Sequence, residues 1–192
     1  AAGNYTLTQP TGLTGTITAK ALGIGAPTIA SKVYDGTTAA GAVTVGTLTG
    51  LVGSETLTVT GTAAAYSSAA LGTYDNVAVT YTLTDGGSGD TAGLASNYTL
   101  AAGSASGTIT GRPLTVTGVA VTSKAYDGTT VATITGVLSG ALPSDDVTLV
   151  GTGTFASKNV GSGQVVTSTS TLSGLAAGNY TLTQPTGLTG TI

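Results

Sequence analysis

Two lysines and two asparagines recur at matching positions in this sequence, and they offer its sharpest chemistry. Lys32 and Lys124 lie early in two related stretches, while Asn97 and Asn179 open the segments that close those stretches. A lysine amine can attack an asparagine carboxamide and form an amide (isopeptide) crosslink, with loss of one ammonia per domain, when a buried acid assists. No acid is clearly placed for that here. Lys and Asn at strand ends ordinarily face water or cap turns. The acidic loops suggest a second chemistry, because Asp85 and Asp90 bracket a Gly-Ser insertion and Asp145 adjoins Asp146. Carboxylates are the hard oxygen ligands that calcium takes, but neither loop has the spacing of a helix-loop-helix calcium site, and solvated turns account for both. The expectation is therefore no cofactor, with calcium at these four aspartates, first at Asp85 and Asp90, as the one metal to consider.

The third recurring element is Tyr34-Asp35-Gly36, matched by Tyr126-Asp127-Gly128. An aromatic strand end followed by Asp-Gly is what a tight turn with positive φ requires, so the motif is expected to build structure and not to bind a ligand. Tyr34 and Tyr126 then become core or inter-domain anchors, which matter in a chain with eight Tyr, one Phe and no Trp. Tyr66, Tyr74 and Tyr81 form a candidate edge patch for a glycan. Asn4, Asn97 and Asn179 each sit in Asn-Tyr-Thr, a formal glycosylation sequon that a repeated structural motif explains equally well. The Thr-x-Thr triplets fall at irregular spacing and read as ordinary strands, not as an ice-binding face.

Composition narrows the field further. The 192 residues include no Cys, His, Met or Trp, the types that carry most nucleophilic, acid–base and soft-metal chemistry, so catalysis is not expected. Charged residues make up 7% against roughly 25% in an ordinary globular domain, and the net charge of −3 leaves no basic footprint for nucleic acid. No apolar run of about 18 residues could span a bilayer as a helix, and no basic-then-apolar leader is present in the sequence. Any export signal is expected to lie elsewhere. A disulfide framework is excluded by the missing cysteines.

The elements that must carry these residues are strands. Thr56–Thr60, Val77–Leu83 and Leu114–Thr117 alternate apolar and polar side chains with period two, the mark of a half-buried strand. Gly-containing turns punctuate them, and β-branched Thr keeps an outer face wet without charge. No amphipathic helix is expected.

Repeats organise the chain at two levels. Residues 1–17, Ala-Ala-Gly-Asn-Tyr-Thr-Leu-Thr-Gln-Pro-Thr-Gly-Leu-Thr-Gly-Thr-Ile, recur without change as residues 176–192. One full unit plus a duplicate of its last segment implies a piece of a tandem array of nearly identical units. Within the unit, Lys32-Val33-Tyr34-Asp35-Gly36-Thr37-Thr38 matches Lys124-Ala125-Tyr126-Asp127-Gly128-Thr129-Thr130. Each half closes on Asn-Tyr-Thr-Leu, with Asn97-Tyr98 and Asn179-Tyr180, followed by Gly-Thr-Ile. The expected division is 1–19 as closing strands of a preceding repeat, 20–110 as a first domain and 111–192 as a second. An all-β fold of two tandem immunoglobulin-like β-sandwiches in an extended rod fits these lengths and the short linkers. Residues 1–17 are expected to pack on a neighbouring domain, either in a continuous array or by β-strand donation between molecules.

These paired motifs resemble the YDG and MBG repeats of large bacterial exoproteins, including adhesins similar to filamentous haemagglutinin. The first half departs from the pattern, with Tyr66-Ser67-Ser68-Ala69-Ala70-Leu71-Gly72 where the second has Phe155-Ala156-Ser157-Lys158-Asn159-Val160-Gly161. The resemblance implies export to the bacterial cell surface and a spacer or adhesive role in cell adhesion or biofilm, and it supplies no catalytic residues. The partners it implies are adjacent copies of the same repeat and a host or neighbouring-cell receptor or glycan, with no nucleic acid and no membrane insertion of this segment.

Overall fold

The computed structural model describes residues 2–192, and among them every long element is a strand, joined by four short 3-10 turns. The first half contains β1 (Lys20–Ile24), β2 (Thr28–Ile29), β3 (Lys32–Val33), β4 (Val43–Thr44), β5 (Leu48–Thr49), β6 (Leu57–Ala63), β7 (Gly72–Asp85), β8 (Tyr98–Leu100) and β9 (Gly103–Thr110). The second contains β10 (Arg112–Val121), β11 (Val131–Ser139), β12 (Thr148–Val150), β13 (Thr152–Phe155), β14 (Gln164–Ser168), β15 (Thr171–Ser173), β16 (Tyr180–Leu182) and β17 (Leu188–Gly190). The chain is all-β. Period-two patterning is realised directly: in β6 and β7, Val59, Val77, Val79, Tyr81 and Leu83 turn inward while Thr58, Thr60, Thr80 and Thr82 face water.

Both halves are closed in the same way. In the first, β8 lies parallel to β1, with Tyr98 opposite Lys20, and β9 lies parallel to β3, with Ile109 opposite Lys32. In the second, β16 lies parallel to β10, with Tyr180 opposite Arg112. Parallel pairs cannot be joined by a tight hairpin, so these closures bring together segments far apart in sequence. Elsewhere the ladders are antiparallel. The longest is β6–β7, from Leu57 opposite Asp85 to Ala63 opposite Val79, and the second half carries a six-stranded sheet ordered β16-β10-β11-β13-β14-β17.

The closing Gly-Thr-Ile signature has a packing cause. A Cβ on Gly107 would come 2.6 Å from a Tyr66 ring carbon, and one on Gly190 would come 2.8 Å from the Phe155 ring, so each glycine makes room for an aromatic ring. Two residues on, Ile109 and Ile192 enter the core at 1% and 6% exposure. The first half's sequence departure at residues 66–72 leaves this geometry intact. Tyr66 N–H bonds Thr38 O at 2.7 Å as Phe155 N–H bonds Thr130 O at 2.8 Å, and Ser68 and Ser157 make the same short turn.

Two hydrophobic clusters result. One, Ala132, Ile134, Phe155, Val166 and Ile192, belongs to the second half. The other runs through the first half, with Ile29, Tyr66, Val77, Val79 and Ile109, and continues into Tyr34, Leu114 and Tyr180 where the halves meet. Between β9 and β10 stands Gly111 alone.

The 17-residue duplicate adopts two states. At 176–192 it forms a 3-10 turn and β16 and β17, and it buries Tyr180 and Ile192. At residues 2–17 it forms one 3-10 turn and no strand, and Tyr5, Leu7, Leu13 and Ile17 are 80% exposed or more. Within this chain the front copy packs on no domain, because the β10 and β14 edges that receive the rear copy are already filled. Removal of residues 2–17 should therefore leave the urea midpoint of the second half unchanged, while removal of 176–192 should abolish its cooperative unfolding; circular dichroism checks both.

Candidate functional site at the domain junction

Each Tyr-Asp-Gly element is a self-contained clip. Lys32 Nζ donates to Asp35 Oδ1 at 2.8 Å and to Thr37 O and Oγ1 at 2.9 Å each, and Thr37 N–H donates back to Asp35 Oδ1 at 2.9 Å. Lys124, Asp127 and Thr129 repeat this set bond for bond. The turn places Gly36 at φ 78° and Gly128 at φ 79°, the left-handed region that glycine enters without strain. The Lys32 ammonium, then the Thr37 N–H, hold Asp35 at a pKa of about 2, and Lys124 and Thr129 do the same for Asp127.

The clip aims its tyrosine, and here the two copies part. Tyr34 leaves the first half and enters the second, where its hydroxyl donates to Asp145 Oδ2 at 2.9 Å. Tyr180 donates to the same oxygen at 2.6 Å and accepts Leu142 N–H at 3.0 Å. The two rings meet edge to face at 5.5 Å between centroids, a favourable aromatic geometry. Arg112 Nε donates to Gly140 O at 2.6 Å and its Nη1 to Tyr34 O at 3.5 Å, and Leu71 N–H donates to Asn179 Oδ1 at 2.9 Å. Leu142 lies over the clip, since a Cβ on Gly36 would come within 3.3 Å of its Cδ1. Tyr34 is 6% exposed. Tyr126, at the corresponding place in the second half, is 59% exposed and anchors nothing within this chain.

Burial first, then the bond to Asp145, pushes the Tyr34 and Tyr180 hydroxyls above the ordinary 10, and the Tyr180 hydroxyl chiefly lowers Asp145. A raised tyrosine value stabilises the junction below pH 10 and is lost as pH rises through it; a lowered aspartate value stabilises above about 4 and is lost as pH falls.

The first half carries the same receiving face. Tyr98 donates to Glu55 and accepts Val52 N–H at 3.1 Å. Sequence reasoning passed over Glu55, Arg112, Leu71 and Leu142, and the only signal for them is alignment of the two halves, since Arg112, Leu71 and Leu142 act across the domain boundary and Glu55 is recognised only as the counterpart of Asp145.

The remaining candidates fall elsewhere. Lys32 and Asn97, and Lys124 and Asn179, are not brought together: the lysines are engaged in their clips, whereas Asn97 and Asn179 lie at the other end of each domain, beside β1 and β10. This corrects the crosslink expectation. Asp85 accepts Ala95 N–H at 2.7 Å, Asp146 accepts Leu175 N–H at 3.0 Å, and Asp90 is exposed in a 3-10 turn. Among the described residues no three His, Cys, Asp or Glu side chains gather as a metal site. Tyr66 is 3% exposed and stacks on Tyr74 at 4.7 Å, and Tyr81 is half-buried, so the three do not form an exposed platform. No helix among the described residues is long and apolar enough to cross a membrane.

Fold and junction define an all-β tandem repeat protein whose two modules share one clip and one receiving face. The YDG domain model matches residues 18–106 and again 110–187, so the chain belongs to the YDG domain family and contains two such domains. No curated protein and no solved structure matches the chain.

Two outcomes follow from the clip and its tyrosine. Tyr34→Ala should lower stability by roughly 3 kcal/mol, as for other buried aromatics, whereas Tyr126→Ala should stay within about 0.5 kcal/mol in the 192-residue chain, both read by urea denaturation. Carboxyl NMR titration should place Asp35 and Asp127 near 2. Because those folded values lie below the ordinary 3.8, the clip's contribution is present above pH 4 and lost as pH falls toward 2.

Proposed function

We propose that this chain is a structural repeat unit of a long secreted bacterial surface protein, serving as stalk or spacer and not as an enzyme. The observation that carries this reading is the junction: one glycine separates the last strand of the first half from the first strand of the second, and the Tyr34–Asp145–Tyr180 contact fixes one domain against the next. Two immunoglobulin-like sandwiches joined in this manner make an extended rod, because a linker of one residue with a packed interface leaves little room to bend. The Thr-rich, nearly uncharged outer faces support it too, since they provide length and solubility without an evident recognition patch. Membership of the YDG family supports placement outside the cell, where Cys-free repeats can supply rigidity without disulfides. Adjacent copies of the repeat are the first partners, and a host-surface receptor or glycan bound elsewhere in the protein is the second.

A second reading is favoured by the front copy of the duplicated segment, whose exposed Tyr5, Leu7, Leu13 and Ile17 are the residue types that the rear copy uses to pair and to bury. Donated to another molecule, this segment would build a noncovalent filament by strand complementation.

Electron microscopy of the secreted protein, paired with denaturing electrophoresis, separates the two. A thin beaded rod that remains one very long polypeptide in denaturant is the expected result. Fibres that dissolve into short chains would overturn the spacer reading in favour of strand donation.

A further inference from the structure

The second domain ends in an exposed knob, and the first domain begins with an exposed receiving face of the same design as the one that Tyr34 fills. We propose that these two surfaces mate: Tyr126 of one copy docks on Glu55 and Tyr98 of the next copy, so that every domain boundary in a tandem array repeats the contact seen between the two domains of this chain. The inference rests on the tandem reading above and adds to it the interface, its polarity and its residues.

Residue by residue, the observed junction maps onto the unmade one. The clip beside Tyr34 is duplicated beside Tyr126 with each Lys-Asp-Thr bond preserved, so the same turn carries both tyrosines. Tyr98 and Glu55 reproduce Tyr180 and Asp145, including the backbone N–H of Val52 in the role of Leu142 N–H. Glu55 accepts one tyrosine hydroxyl where Asp145 accepts two, which leaves it able to take a second. Lys20, opposite Tyr98, holds the place that Arg112 holds opposite Tyr180, and so can reach the Tyr126 carbonyl as Arg112 reaches that of Tyr34. Asn97 matches Asn179, and Val160 matches Leu71, the donor to Asn179.

The exposed apolar groups fall where this mating would cover them. Tyr126 and Val160 on the knob side are 59% and 75% exposed, and Val52 on the receiving side is 52% exposed, whereas Tyr34 in the made junction is 6% exposed. Sizes also fit. A Cβ on Gly36 meets Leu142, while a Cβ on Gly128 meets nothing within 4 Å, the space Val52 would take. At the made junction Leu71 packs toward Gly111, within 3.2 Å of where a Cβ would be. At the unmade one the shorter Val160 faces Ala19, so a methyl lost on one side is regained on the other. Residues 17–20, Val52 and Glu55 with Ser96, Asn97 and Tyr98 line an open depression, the shape needed to receive a ring.

The test is tyrosine nitration of two chains: the 192-residue protein, and a chain of two consecutive copies in which Ile192 of the first is followed by Thr18 of the second. After denaturation, cleavage at Lys124 and Lys158 releases a fragment in which Tyr126 is the sole tyrosine. In the single copy this fragment should be fully nitrated, and in the two-copy chain about half of it should stay unmodified, because tethering makes the contact intramolecular. Val52→Asp in the downstream copy, at an exposed side chain, should restore full nitration. Full nitration of the unsubstituted two-copy chain would overturn the proposal, as would protection that Val52→Asp leaves unchanged. Either result leaves the spacer reading standing as a flexible array, whereas that reading fails separately if the secreted material dissolves into short chains.

Discussion

A carboxylate that accepts two phenol hydroxyls on one oxygen is a strong and directional contact, because each bond is charge-assisted and the rings that supply it are already packed edge to face. Asp145 is in this position, between Tyr34 of one domain and Tyr180 of the other. The rest of the molecule makes that contact decisive. There is no disulfide, and the two ion pairs found among the described residues each join residues three apart within one clip, so they hold a turn and add little to the alignment of domains. Arg112 bonds backbone carbonyls on both sides and completes the seam. Charge is scarce in this sequence, and the structure spends it on holding turns and on the boundary between modules.

The duplicated segment makes a complementary point about what a local sequence can specify. One segment forms strands and buries an aromatic and an isoleucine at 176–192, while residues 3–17 of its duplicate remain nearly all coil and exposed. Nothing within the segment differs. What differs is whether β10 and β14 are available to pair with it, so its strand state is a tertiary property, as expected for β structure, whose propensity reflects partners and faces more than backbone preference.

That distinction also explains how much was legible beforehand. The strands through Val59, Val77 and Leu114, the glycine turns after Asp35 and Asp127, and the division into two related halves were all readable, because alternation, positive-φ glycine and repetition are local signals. The likeness to YDG repeats was readable on the same motifs. The unlike fates of Tyr34 and Tyr126 were not, since identical surroundings in sequence give one a domain to enter and the other open solvent. Asp145 was singled out for its charge and read as part of a solvated turn, with calcium as the alternative, whereas its partners are hydroxyls that lie 111 and 35 residues away. Lys32 and Lys124 were paired with Asn97 and Asn179 by their order along the chain, but strand direction puts them at opposite ends of each domain.

The parallel closure of each domain bears on how the chain acquires its structure in time. Lys20 meets Tyr98, Lys32 meets Ile109 and Arg112 meets Tyr180, so the opening strand of every module waits for residues near its end. A large loop entropy must be met before those pairs are rewarded, which places such topologies among the slower folders, on the scale of milliseconds to seconds. A chain threaded through a narrow conduit would thus stay open until a whole module had emerged, and would then shut one module at a time, in order, from the end that leaves first.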